Sequence, residues 1–180
     1  FSFNSPHGAC PSCLGLGSIL TVDPSLVLNG ELSITEGGVL PFAKTFFHDT
    51  WYARVVMTVS EKYGIDPRAP LKRLTAKQKE ILLYGTGEEI FRVKGTNRFG
   101  EDTVISETFE GFIPQLKRRH TETESDFMRT EIEKYMRQEL CGTCQGKRLK
   151  KESLTITIDK RSIADLTDLS ITDAHAWVNS

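Results

Sequence analysis

The chain has 180 residues, of which 38% are hydrophobic and 26% charged, and its formal net charge is −1. That is enough for one or two globular domains with a core, and no apolar run approaches the ~18 residues needed to cross a membrane. Near-neutrality excludes no partner class, because the charge is unevenly placed: Lys44 is the sole Lys or Arg among the first 50 residues, whereas Lys147, Arg148, Lys150, Lys151, Lys160 and Arg161 crowd together.

In chain order, Ser18–Val22 alternates weakly and stops at Asp23-Pro24, which predicts a short strand. Residues 23–50 read as loop, with turns at Asn29-Gly30 and Gly37-Gly38. Thr50 is placed to cap a helix carrying Trp51, Val55, Val56, Val59 and Tyr63, closed by Gly64. Thr75 and Gln78 form a capping box for a short helix with Ile81 and Leu82, ended by Gly85. These stripes are read as core. Glu88–Lys94 and Asp102–Phe109 predict two strands of a hairpin. Pro114 stands near the start of the next element, which runs through Gln115–His120. A last helix is expected to carry Met128, Ile132, Tyr135 and Met136 on one face, with Glu133 and Arg137 paired. Beyond it, Leu154, Ile156 and Ile158 alternate with threonines as a half-buried strand, and Asp173–Val178 opens a helix. The fold class expected is α+β: a mixed helical and β-hairpin domain.

The four cysteines form two matching knuckles, Cys10-Pro11-Ser12-Cys13-Leu14-Gly15 and Cys141-Gly142-Thr143-Cys144-Gln145-Gly146. Each C-x-x-C turn aims two thiolates at one point, so the pair supplies the four sulfurs of a tetrahedral zinc site. Four thiolates leave no open position for water, so the zinc is expected to be structural. The competing readings are a secreted disulfide framework, a thioredoxin-like redox pair and unrelated buried thiols. The chain shows no signal peptide, and its duplicated, glycine-rich motifs fit a redox pair poorly. Reduced cysteines imply a cytoplasmic setting. Residues 23–137 then become an insertion tied off at its base by residues 1–22 with 138–180. Phe1 opens without an initiator methionine and Ser180 closes without a cap, so the chain is expected to be a piece of something larger.

Nucleotide motifs are missing. Gly142-Thr143-Cys144-Gln145-Gly146-Lys147 is one residue short of a phosphate loop and is followed by Arg148 instead of Ser or Thr. The four histidines, His7, His48, His120 and His175, have no carboxylate partner at a telling spacing.

Three stretches carry a family resemblance: Phe1-Ser2-Phe3-Asn4-Ser5-Pro6-His7-Gly8-Ala9-Cys10 through Gly17, Phe109-Glu110-Gly111-Phe112-Ile113-Pro114 with Lys117-Arg118-Arg119, and Tyr135-Met136 through Leu149. Together they resemble the UvrA family, the damage-sensing ATPase subunit of bacterial excinuclease, over essentially the whole chain. The resemblance implies that 23–137 is the insertion domain of the first half, and that the knuckles and 138–180 begin its first signature domain. It implies duplex DNA, damaged DNA in particular, as the partner. A homodimeric parent would bind ATP and UvrB through segments outside these residues, and this chain by itself would be no enzyme.

Lys117, Arg118 and Arg119, the hairpin residues Arg92, Lys94 and Arg98, and Lys147 and Arg148 are the candidate phosphate contacts. Such residues hold DNA without reading its sequence. The bland alternative for each is a solvated face. Two rival functions stand beside the DNA reading. One is a DnaJ-like zinc chaperone module, which would show four knuckles at short gaps and glycine where Arg148 stands. The other is a purely structural zinc-stapled domain.

Overall fold

Hydroxyl and carboxylate caps set most of the helix starts in this computed structural model, which describes residues 2–96 and 99–179. Strand β1 (Ser18–Val22) is followed by a one-turn helix α1 (Pro24–Val27), whose N-terminus is capped by the Asp23 carboxylate. A 3-10 segment, Leu40–Phe47, lies within the stretch expected to be loop. Helix α2 (Trp51–Lys62) starts where Thr50 accepts from the Ala53 N–H at 3.1 Å. Helix α3 (Ala76–Tyr84) has the Thr75–Gln78 capping box. Strands β2 (Ile90–Thr96) and β3 (Asp102–Thr108) form an antiparallel hairpin in which Arg92 faces Ser106 and Lys94 faces Val104. Helices α4 (Phe112–Glu122) and α5 (Asp126–Glu133) follow, α5 capped by Ser125. Strand β4 (Met136–Leu140) pairs with β1. The chain ends in α6 (Lys151–Leu154), a minimal hairpin of β5 (Thr157–Ile158) and β6 (Arg161–Ser162), α7 (Ile163–Thr167) and α8 (Ile171–Val178). The class is α+β.

Two compact units result: Val22–Arg137, and the flanking segments Phe1–Thr21 with Gln138–Ser180. In the first, one apolar cluster gathers residues from Val22 to Ile132. Phe112 sits at its centre, fully buried, with ring centroids of Phe42, Phe109, Phe46 and Tyr52 at 5.4, 5.7, 6.4 and 6.4 Å. Gly85 and Gly111, both at positive φ, let the end of α3 and the start of α4 touch backbone to backbone; a Cβ on Gly111 would lie 2.3 Å from the Gly85 nitrogen.

Two expectations are corrected. The last helix stops at Glu133, and Tyr135 and Met136 are not helical. The Asp23 N–H donates to the Tyr135 carbonyl at 2.9 Å, and Arg137 Nε lies 2.5 Å from the Asp23 carboxylate and so does not pair with Glu133. Pairing with β1 thus overrides the local helical pattern. Similarly, residues 154–158 are not a half-buried strand: Leu154 ends α6, and Ile156 and Ile158 are exposed. Asp159 and Lys160 both have positive φ, as a two-residue hairpin turn requires, and with α6 ending at Leu154 and α7 starting at Ile163 the pairing covers two residues per strand.

Asp23, Glu36 and Asp165 accept hydrogen bonds from Ser25, Ser33 and Ser162 respectively, and these hold each carboxyl below its usual range. A folded value below the unfolded one gives stability that is full above about pH 4 and lost as pH falls through the folded value. Melting temperature should therefore be flat from pH 7 to about pH 5 and fall on acidification toward pH 2, measured by circular dichroism.

Candidate metal centre and nucleic-acid interface

Cys10, Cys13, Cys141 and Cys144 are all buried, and their sulfurs lie within 4.8 Å of one another. The Cys10–Cys141 and Cys13–Cys144 sulfur distances are 3.9 and 3.6 Å. A tetrahedron of Zn–S bonds of about 2.3 Å has edges of about 3.8 Å, so the spacing suits an ion of that size. Backbone N–H donors of Cys144 and Thr143 outweigh burial at Cys141 and pull its thiol down to about 6. Burial pushes Cys144 up to about 11, which a bound cation would reverse. His7 lies outside the cluster and is exposed.

The knuckles repeat each other residue by residue. Leu14 and Gln145 both have φ of 50°, and Gly15 and Gly146 both 84°. The Cys10 N–H donates to the Arg148 carbonyl at 2.9 Å, and the Cys141 N–H to the Gly17 carbonyl, the equivalent position, at 3.0 Å. Ser12 and Thr143 hydroxyls meet at 2.8 Å across the same axis. Each knuckle therefore completes the other's backbone bonding, and the sulfur cage is built by a local two-fold repeat. Gly15 admits no side chain, because a Cβ there would sit 1.9 Å from the Phe3 carbonyl oxygen.

Arg148 occupies the position of Gly17, with φ of 68° against 83°. A non-glycine residue there carries strain of order 1–3 kcal/mol. Its Nε donates to the Gly15 carbonyl at 2.7 Å and its guanidinium lies 4.2 Å from the Phe3 ring centroid. These bonds tie the side chain to the opposite knuckle. Lys147 beside it is exposed.

The other basic residues are scattered. Arg92 and Lys94 share the exposed face of β2, opposite the buried Phe91 and Val93. Lys117, Arg118 and Arg119 follow one another on α4, so each points about 100° from the next. Lys117 is exposed. Arg118 is held between Glu110, at 2.6 Å, and Glu122, at 3.1 Å, and Arg119 is half-buried with its guanidinium 5.8 Å from the Phe42 ring centroid. Arg98 falls outside the described residues. One histidine does have a carboxylate partner: His120 Nε2 is 3.0 Å from Glu133, across the α4–α5 turn. No helix among the described residues is long and apolar enough to cross a membrane.

Residues 23–134 match the family model described as UvrA DNA-binding domain. The chain is 43% identical to UvrABC system protein A of Methanothermobacter thermautotrophicus, with 100% of this chain and 19% of the relative covered. It is 44% identical to the Bacillus subtilis protein of the same name, covering 98% of this chain and 18% of that protein. The crystal structure of UvrA2 from Deinococcus radiodurans superposes with a TM-score of 0.73 and 26% identity over 99% of this chain and 23% of that one. The chain thus spans about a fifth of the length of these relatives.

Proposed function

The chain belongs to the UvrA family, and from that premise we propose that it is a DNA-contacting portion of a nucleotide excision repair protein. On this reading, Val22–Arg137 is the insertion domain that meets duplex DNA through phosphates. The knuckle unit is a structural zinc scaffold held by Cys10, Cys13, Cys141 and Cys144. ATP hydrolysis, dimerisation and UvrB binding are assigned to other parts of the whole protein, and damaged duplex is the expected target.

The match of residues 23–134 to the DNA-binding domain carries the reading. The fit of the sulfur spacing to Zn–S bonds supports the metal. Arg92 and Lys94 are the strongest phosphate candidates, since both are exposed on one strand face. Lys117 and Lys147 are placed second. Arg118, Arg119 and Arg148 have intramolecular partners that a phosphate would have to displace, so their contribution to DNA is proposed to be small.

The test is duplex binding by fluorescence anisotropy at low salt. Unrelated sequences should bind equally, and Arg92→Ala with Lys94→Ala should weaken all of them alike. Arg118→Ala should lower thermal stability more than it lowers affinity. Retention of full affinity by the double variant, or strong sequence preference, would overturn the assignment.

A further inference from the structure

Strand β3 is paired along one edge only. Among the described residues its sheet holds just β2 and β3, so every second residue of Asp102–Thr108 turns its N–H and C=O away from β2. No backbone group of these seven residues bonds outside the hairpin to another described residue. Such an edge is a template for a further strand, and folded proteins blunt it with lysine, proline or a bulge. β3 has none of these. It reads Asp-Thr-Val-Ile-Ser-Glu-Thr, rich in β-branched residues, and pairs with β2 residue for residue.

A trough borders this strand. A cavity of about 260 Å³ lies between β3 and α4, with Trp51 and Val55 of α2 as its floor. Ile105 and Glu107 line it, and the register puts both on the sheet face that carries the buried Val93 and Phe91. A strand laid along β3 would turn alternate side chains toward α2, one of them into the cavity beside Ile105. The next such side chain, two residues on, would stand opposite Glu107. That carboxylate is exposed and has no ion-pair partner among the described residues, because the cation lining the cavity, Arg118, is held by Glu110 and Glu122. An inward-facing carboxylate at a strand edge repels an acidic strand and matches a basic one, so Glu107 makes the edge selective.

We propose that β3 and this trough receive an extended segment of a protein partner. The segment adds as a third strand and presents an aliphatic side chain followed, two residues on, by a lysine or arginine. Main-chain hydrogen bonds supply the affinity, while the cavity and Glu107 supply the selection. This goes beyond DNA contact. Arg92 and Lys94 lie on the opposite face of the hairpin from Glu107, so phosphates and a peptide would not compete for the same side chains.

The probe is the acetylated and amidated peptide Thr-Val-Thr-Lys-Thr-Val-Thr, which offers the same inward side chains in either strand direction. Calorimetric titration should show saturable binding of one peptide per chain, and hydrogen exchange should slow at alternate amides of Asp102–Thr108. Glu107→Lys changes an exposed residue and should keep the fold. It should weaken the peptide about fivefold, the size of a rim ion pair, and should favour the peptide with glutamate in place of lysine. Methylating alternate peptide nitrogens keeps every side chain but removes the donors, and should abolish binding. No saturable binding, equal affinity for Glu107→Lys, or full binding of the methylated peptide would overturn the proposal. Protection of the same amides by self-association, without peptide, would give the edge to a second copy and overturn it too. Duplex binding by Glu107→Lys should not fall, which keeps this result separate from the DNA reading.

Discussion

Removing the metal should unfold the knuckle unit and leave the Val22–Arg137 unit standing. Apart from the four cysteines, the flanking segments bury only Ala9, Leu149 and Ala164 among their described apolar residues. The larger apolar cluster lies wholly between Val22 and Ile132. A unit with so little apolar core needs another staple. Structural zinc supplies about 10–16 kcal/mol in small peptides, comparable to or above the ~5–15 kcal/mol net stability of a whole domain. Native chain should contain one zinc. Strong chelation, or Cys141→Ser, should abolish the ordered signal of Trp177 while that of Trp51 persists, and melting should retain one cooperative transition. A metal-free chain with unchanged spectra, or disulfides among these cysteines, would contradict this.

Phe112→Ala should have the opposite footprint: the Val22–Arg137 unit lost or severely weakened, zinc content kept. Deleting a fully buried phenylalanine costs about 3–5 kcal/mol through lost transfer energy and the cavity left behind. Here four aromatic neighbours also lose a partner, at about 0.5–1.5 kcal/mol for a well-placed pair. The total approaches the stability of a typical domain. Urea unfolding followed by Trp51 should show the midpoint fall by more than half. Phe112→Leu should recover much of it, because most of the volume is restored. A small effect from the alanine variant would show that the aromatic cluster is loosely packed.

What was legible in the sequence follows the range of the interactions that decide it. The knuckles were legible because a C-x-x-C turn is fixed by bonds within six residues, and the structure brings the four sulfurs together. The hairpin and the Thr50 and Thr75 caps were legible for the same reason. The end of α5 was not. Tyr135 and Met136 keep a helical spacing, but their conformation is decided by Asp23, more than a hundred residues away in the chain. Arg118 read as one of a basic triplet because Glu110 approaches it only after the turn into α4 is made. Arg148 carried a signal that could have been used: aligning the two knuckles puts it opposite Gly17, which marks a left-handed backbone position.

The DNA account is tested most directly by the salt dependence of duplex binding, compared between the native chain and the Arg92→Ala, Lys94→Ala variant. Each neutralised phosphate contributes about −0.9 to the slope of log affinity against log salt. The account predicts a steep native slope that becomes shallower by about 1.8 in the variant, equally for unrelated sequences. An affinity indifferent to salt, or parallel slopes for the two proteins, would contradict it.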